Sequence, residues 1–356
     1  MRNRLRILIP YIIISIVLII SLIKVYADYL YNSNNVYYNN TSSNLEASDV
    51  QSAIDELYEK ANTCASSSDG CPVGYRKYNE DSTSFLCAKP LCKRATSLHI
   101  ETCSQTSSYC YADEYYASGS EGTSTITYGQ LGTSGSEPSA GDAFDCDVNG
   151  DGVYDSERER FYYVSTYFDT STKNFDNDYY VFIYYSNTSG GNSSTSTVAW
   201  YSSSNSTSYG PTTAMAQLPK TSGENAWRDD LLKTTTRNIL SGTSVTSVTG
   251  TAKSNFSYSG YAARLLTMQE LLSGCPNAST STGSLKSCNW IMEQTKYSTS
   301  SYSTSGPWLE SAYSSTRAWF VNSGSRRVYY TMDGTTNSSN YGARPVIEIP
   351  KSQVSY

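Results

Sequence analysis

Apolar and polar positions divide the 356-residue chain into four stretches. From Ile7 to Ile23 the run is apolar apart from Pro10, Ser15 and Ser21, with three arginines before it and Lys24 after it. Continued to Ala27, such a helix spans about 31 Å, enough to cross a bilayer, and the arginines put its start in the cytoplasm. Residues 1–27 therefore read as a basic cytoplasmic end and a membrane-crossing signal anchor (7–27), with the C-terminus outside the cell. Val25-Tyr26-Ala27 also fits a cleavage site, and cleavage at Ala27 would make the protein secreted. Residues 28–45 are Asn-rich with no helical period, as in a stalk. Ser48 and Gln51 then make a capping box, and Val50, Ala53, Ile54, Leu57 and Tyr58 follow at helical spacing. A helix of about 14 residues is unstable alone in water. The segment 46–60 must therefore dock on its own domain or self-associate through Val50, Ala53 and Leu57.

A stalk with a short helix thus covers 28–62, a Cys-rich segment 63–125, and a large domain 126–356. In the large domain, aromatic or β-branched runs alternate with Ser/Thr/Asn/Gly turns. Strands are predicted at Arg160–Tyr163, Tyr179–Tyr185, Ala318–Val321, Arg327–Met332 and Pro345–Ile349. One helix is predicted from about Ala226 to Leu240, with Trp227, Leu231, Leu232, Thr235 and Ile239 on one side. A second is predicted from Thr267, where Thr267 and Glu270 form another capping box. The pattern is α+β.

Composition narrows the chemistry. There are 33 Tyr against 8 Phe and 5 Trp, and Ser plus Thr make up roughly a quarter of the chain, above ordinary usage. So many aromatics exclude a disordered chain. A net charge of -6 gives no footprint for nucleic acid. The single histidine, His99, argues against a His-rich metal site or a Ser-His-Asp triad. Six of the nine cysteines are clustered: Cys64, Cys71, Cys87, Cys92, Cys103 and Cys110. No Cys-x-x-Cys is present and the spacings fit no zinc finger, so disulfides are expected outside the membrane. Cys275 and Cys288 enclose a Ser/Thr/Gly-rich loop and are expected to pair, which leaves Cys146 as the odd thiol.

The sharpest local motif is acidic. Asp147, Asn149, Asp151 and Asp155 occupy positions 1, 3, 5 and 9 of a D-x-N-x-D-G loop, with Gly152 at the turn and the Val153 carbonyl available. Alternating oxygen donors about a glycine bend suit weakly bound Ca²⁺, and the loop resembles those of dockerins and EF-hands. It departs from them at position 12, which is Arg158; Glu157 is one place early and Glu159 one late. The competing reading is a hairpin turn without metal, which Asn-Gly and Asp-Gly favour unaided.

Two resemblances add to this. The run EASDVQSAIDELYEK resembles the short neck of phage tail-fibre and bacterial surface proteins. Residues Ala263-Arg264-Leu265-Leu266-Thr267-Met268-Gln269-Glu270-Leu271 resemble the R-L-P-T-x-x-E-W segment of formylglycine-generating-enzyme-like domains. Trp308-Leu309-Glu310, Ala318-Trp319-Phe320-Val321 and Gly342-Ala343-Arg344-Pro345-Val346 resemble their closing strands. The same order occurs in surface domains of Gram-positive gut bacteria. The resemblance covers roughly 140–350 and implies a C-type-lectin-like fold: a twisted antiparallel sheet, two helices and long loops on one edge. Arg264 and Arg344, beside apolar runs, are expected to tie loops together by bidentate hydrogen bonds.

The expected function is non-enzymatic: an extracellular surface binding or adhesion protein for a glycan or protein ligand. Trp308, Tyr313, Trp319, Tyr329 and Tyr330, with the loop from Tyr297, are the candidate contact residues, because aromatic side chains give rigid area with a polar tip. The E-P-N and Q-P-D calcium motifs of animal lectins are missing, which weakens the sugar case. Two alternatives compete. A pilin-like or structural appendage subunit would carry a G-F-T-L-x-E signature, absent here; a formylglycine-generating-type oxidase would need a reactive cysteine pair, for which only Cys275 and Cys288 are placed.

Overall fold

The computed structural model describes residues 50, 52–54, 56, 63–64, 76–78, 85–104, 123–187, 197–198, 201–202, 206–293, 307–322, 325–330 and 341–356. The membrane segment 7–27, the stalk 28–45 and the loop from Tyr297 to residue 306 lie outside the described residues. No helix among the described residues is long and apolar enough to cross a membrane, which says nothing about strands. The chain divides into two compact units, 1–88 and 89–356.

In the first unit, Val50, Ser52, Ala53, Ile54 and Glu56 are helical, as their spacing predicts; Ala53 is buried and Ile54 exposed. Strands β1 (Thr63–Cys64), β2 (Arg76–Tyr78) and β3 (Phe85–Ala88) form an antiparallel sheet with β3 central.

In the second unit the first strands are β4 (Cys92–Arg94), β5 (Ile100–Ser104), β6 (Thr123–Thr127), β7 (Ala143–Cys146), β8 (Arg160–Asp169) and β9 (Asn174–Tyr184). They are followed by β10 (Thr197–Val198), β11 (Thr236–Ser241), β12 (Gly250–Ser257), β13 (Trp308–Ser314) and β14 (Arg317–Asn322). The last are β15 (Arg327–Tyr330), β16 (Tyr341–Gly342), β17 (Val346–Pro350) and β18 (Val354–Ser355). Helix α1 is Thr212–Met215 and α2 is Met268–Gly274. One sheet has the order β17-β9-β8-β7-β4-β18, the other β12-β11-β13-β14-β15. Both are mixed, because β18 runs parallel to β4 and β11 parallel to β13.

Strand β8 is buried at eight of its ten positions, which its continuous run of aromatic and β-branched residues permits. Helix α2 lies against it. A Cβ on Gly274 would meet the Val164 carbonyl oxygen at 2.6 Å, so only glycine allows this approach. The Thr267 hydroxyl accepts from the Glu270 amide and Glu270 reaches back to the Thr267 amide, the capping box predicted. Residues of both sheets and α2 share the main core; Tyr201, Ala214, Phe256, Trp308 and others form a second one. Strand β14 serves both by its period of two: Trp319 and Val321 enter the first, Ala318 and Phe320 the second.

The α+β, C-type-lectin-like expectation is corrected by these sheets: the described chain is mostly β, with two mixed sheets and only two short α-helices in the second unit. The helix predicted over 226–240 does not form; residues 236–241 are β11. Thr234-Thr235-Thr236 is a β-branched run that disfavours helix, and the Leu231 carbonyl accepts from the Glu348 amide at 2.8 Å, in place of an intrahelical bond. Predicted strands are present but longer than expected at Arg160–Asp169 and Asn174–Tyr184. Cys146 is also corrected. It pairs with Cys92, across the β4–β7 register where the two are directly opposed. The Cys275–Cys288 disulfide is present as predicted.

Candidate functional site

Three clusters of chemically active side chains lie in the 89–356 unit, and each is built by particular strands.

The first is buried and ionic. Strand β11 carries Arg237, the segment before α2 carries Arg264, α2 carries Glu270, β13 carries Glu310 and β17 carries Glu348; all five are at most 1% exposed. Arg264 holds Glu270 at 2.9 and 2.6 Å and also binds Glu348. Arg237 bonds Glu310 and Glu348 at 3.2 Å each, and Tyr258 donates to Glu310 at 3.0 Å. Burial works against ionising Glu270, but the Arg264 and Arg237 guanidiniums outweigh it and hold its carboxyl below the ordinary value. At Glu310 burial wins over the same two arginines and pushes the carboxyl up. Two guanidiniums thus face three carboxyls, one of which burial makes harder to ionise. Arg264 is thus structural, as predicted. Arg344 is too: it donates to the carbonyls of Ile291 and Glu293. Arg237 and Glu348 were not foreseen, because a lone charge inside an apolar strand has no periodic signal.

The second cluster is the aromatic one. Tyr313 and Tyr330 stack at 4.0 Å between centroids with an 18° interplanar angle, and Tyr329 lies against Tyr330 at 5.0 Å and 17°. Trp319 meets Tyr313 and Tyr330 edge-on at 5.0 and 5.6 Å. Arg317 sits over Tyr330 at 5.8 Å, and Arg327 over Tyr329 at 4.1 Å. Tyr313, Tyr329 and Tyr330 are half-buried, so ring surface reaches solvent. Trp319 is buried beneath Tyr313 and Tyr330, whereas Tyr329, opposite Phe320 in the β14–β15 register, packs on the second core. Trp308 is buried on the opposite face, against Tyr201 and Phe320. Four of the five aromatic residues predicted to bind ligand are therefore brought together, three of them at the surface.

The third is the acidic loop between β7 and β8. It is clamped at both ends. The Cys92–Cys146 disulfide precedes it, and Arg160 after it bonds Asp145 at 2.8 Å. Tyr184 and Tyr185 donate to the Arg158 and Glu157 carbonyls at 2.7 and 2.6 Å. His99 bridges the Ser156 carbonyl and Glu293, at 2.6 Å each. Within the loop, Gly150 and Gly152 adopt φ of 77°, a conformation that favours glycine. Asp147 accepts from the Gly152 amide through Oδ2 at 3.0 Å, and Asn149 Oδ1 accepts from the Asp151 amide at 2.8 Å. Asp151 Oδ1 accepts from the Val153 amide at 2.8 Å, and Asp155 Oδ1 from the Glu157 amide at 2.9 Å.

Glu159 is the residue that sequence spacing missed. One place late for a twelve-residue loop, it nevertheless turns inward, 3% exposed, and accepts from the Asn149 and Asp155 amides at 3.4 and 3.0 Å. Burial pushes its carboxyl up to about 7, against those two bonds, and Asp147 and Asp151 add to the rise. Among the described residues no three His, Cys, Asp or Glu side chains already converge as a metal-binding group.

Comparison with protein-family models, with curated proteins and with solved structures finds no match for the chain.

Proposed function

We propose that the protein is a non-enzymatic binding or adhesion protein of the cell surface, and that it takes a glycan or protein ligand where Tyr313, Tyr329 and Tyr330 meet at the β15 edge of the sheet. The observation that carries this reading is the half-exposed stack of three tyrosines bordered by Arg317 and Arg327. Rings fixed by packing lose little conformational entropy on binding, and buried Trp319 holds Tyr313 and Tyr330 from below. Two disulfides support a place outside the cytoplasm, where thiols oxidise and stay oxidised. The Cys275–Cys288 bond also supports the non-enzymatic reading, since a thiolate pair for oxidase chemistry would need both sulfurs free.

The test is a glycan and matrix-protein array probed with the full chain, beside a Tyr313→Ala/Tyr330→Ala variant. The double substitution should weaken binding to the parent's ligand at least tenfold, about 1.4 kcal/mol. No binding by the parent, or equal binding by the variant, overturns the assignment.

A further inference from the structure

The acidic loop holds an imbalance that the rest of the fold does not share. Asp147, Asp151, Asp155 and Glu159 bring four carboxyls into thirteen residues. Among the described residues, the nearest cations are committed elsewhere or solvated. Arg228 is held by Asp230 at 2.9 and 2.6 Å and acts on Asp147 only through space, Lys89 bonds the Gly152 carbonyl at 3.4 Å, and Arg158, at 3.8 Å from Asp155, is largely exposed. Among the described residues no ion pair reaches Asp147, Asp151 or Glu159.

An independent sign of a ligand is Asp147 itself. It is 8% exposed, and the Gly152 amide fixes one carboxylate oxygen while the other, Oδ1, is sealed from solvent with no hydrogen-bond partner. An ionised oxygen left so is costly unless something positive meets it.

We propose that the 147–159 loop binds a calcium ion, with Asp147 and Glu159 as fixed anionic ligands and Asn149, Asp151, Asp155 and the Val153 carbonyl completing the oxygen shell. Glu159 supplies the closing carboxylate that position 12 lacks. The backbone needs no rebuilding, because the disulfide, His99, Tyr184 and Tyr185 already hold the loop at both ends. Only side chains move: Asp151 is exposed and Asp155 partly so, and both can rotate from their backbone amides toward the ion. Six or more oxygens on an adaptable loop suit calcium; magnesium demands a stricter octahedron and keeps its waters.

Titration calorimetry of the full chain with calcium chloride, and separately with magnesium chloride, tests this. Calcium should bind with Kd of about 10⁻⁴–10⁻³ M, the range of extracellular modules. Glu159→Gln should weaken it at least tenfold, and Glu157→Gln, an exposed neighbour outside the shell, should leave it unchanged. Should Glu159→Gln lose its near-ultraviolet dichroism, Asp151→Asn at the exposed rim decides, with weaker calcium binding in a folded protein. No calcium heat in the parent, magnesium binding as tight as calcium, or variants that bind like the parent overturns the proposal.

Discussion

Two groups of carboxyls in the 89–356 unit are treated in opposite ways. Around Arg264 and Arg237 the chain supplies its own counter-charge, and Glu270, Glu310 and Glu348 are sealed from water. In the 147–159 loop Asp147 and Glu159 are almost as deeply buried, but no guanidinium or ammonium pairs with them among the described residues. Charge supplied from within gives a fixed joint between elements distant in sequence. Charge left open makes the local stability answer to solution conditions. The difference predicts which substitutions unfold the protein and which merely change its response to ions.

The largest effect should follow from breaking the neutralised group. Arg264→Met strands Glu270 in the interior and leaves Glu348 to Arg237 alone, and removing one partner of a buried pair costs about 3–5 kcal/mol. Urea denaturation of the variant measures it; a loss below 1 kcal/mol would show that the carboxyls are not held as drawn.

The disulfides come next, since each staples one of the two groups. Cys92–Cys146 closes 54 residues and enters the acidic loop, whereas Cys275–Cys288 closes 13 just past α2. Chain entropy gives about 4 kcal/mol for the longer loop and about 3 for the shorter. Paired Cys→Ala variants should rank in that order by chemical denaturation, and the reverse order would mean that native-state packing, rather than loop closure, dominates.

How far the sequence disclosed this contrast depends on range. Thr267 and Glu270 are three residues apart and gave their capping box directly; Cys275 and Cys288 were paired by the loop they enclose. Trp319 and Tyr330 stand out as aromatics, but they are cross-strand partners on one face, and their different burial follows from β14 lying inside the sheet and β15 at its edge. Cys146 was misread because its partner lies 54 residues away, across a strand register no local pattern encodes. Glu159 falls one place outside the loop by position, and the inward turn that brings it back comes from the β7–β8 hairpin. The helix expected at 226–240 shows the same limit: apolar spacing at 227, 231 and 239 arose from separate burial needs rather than from one helical face.

A smaller effect separates the carboxyls within the neutralised group. Because the folded fold favours protonated Glu310, its contribution is fully present below the unfolded value near 4.5 and is lost as pH rises through the raised folded value. Glu270 has the opposite sign: its contribution is present above about 4.5 and is lost as pH falls through its lowered folded value. Glu310→Gln, which removes the titration, should flatten the decline in stability above pH 4.5, at a cost of about 1–3 kcal/mol for whichever of Arg237 and Tyr258 then faces the amide nitrogen. Glu270→Gln should cost more. Equal losses from the two, measured by denaturation across pH, would remove the distinction.

The smallest effect is a change of sign. Asp151 adds a charge beside Asp147 and Glu159 at the exposed rim of the loop. Asn in its place keeps an oxygen to accept from the Val153 amide, now at 2.8 Å from Asp151, and removes the charge together with an exposed acceptor for the Asn149 side-chain amide at 3.0 Å. In EDTA that relieves like-charge repulsion, and at an exposed site the gain is about 0.3 kcal/mol. With calcium at ten times the parent's Kd, mass action stabilises the parent by about 1.4 kcal/mol, and a variant that binds more weakly forfeits most of that. Asp151→Asn should therefore melt slightly above the parent in EDTA and below it in calcium. Raising sodium chloride in EDTA should shrink the first difference, because screening weakens repulsion between exposed charges. If the variant melts on the same side of the parent in both buffers, the loop's charge is not waiting for a cation, and the contrast between the two carboxyl groups reduces to depth of burial alone.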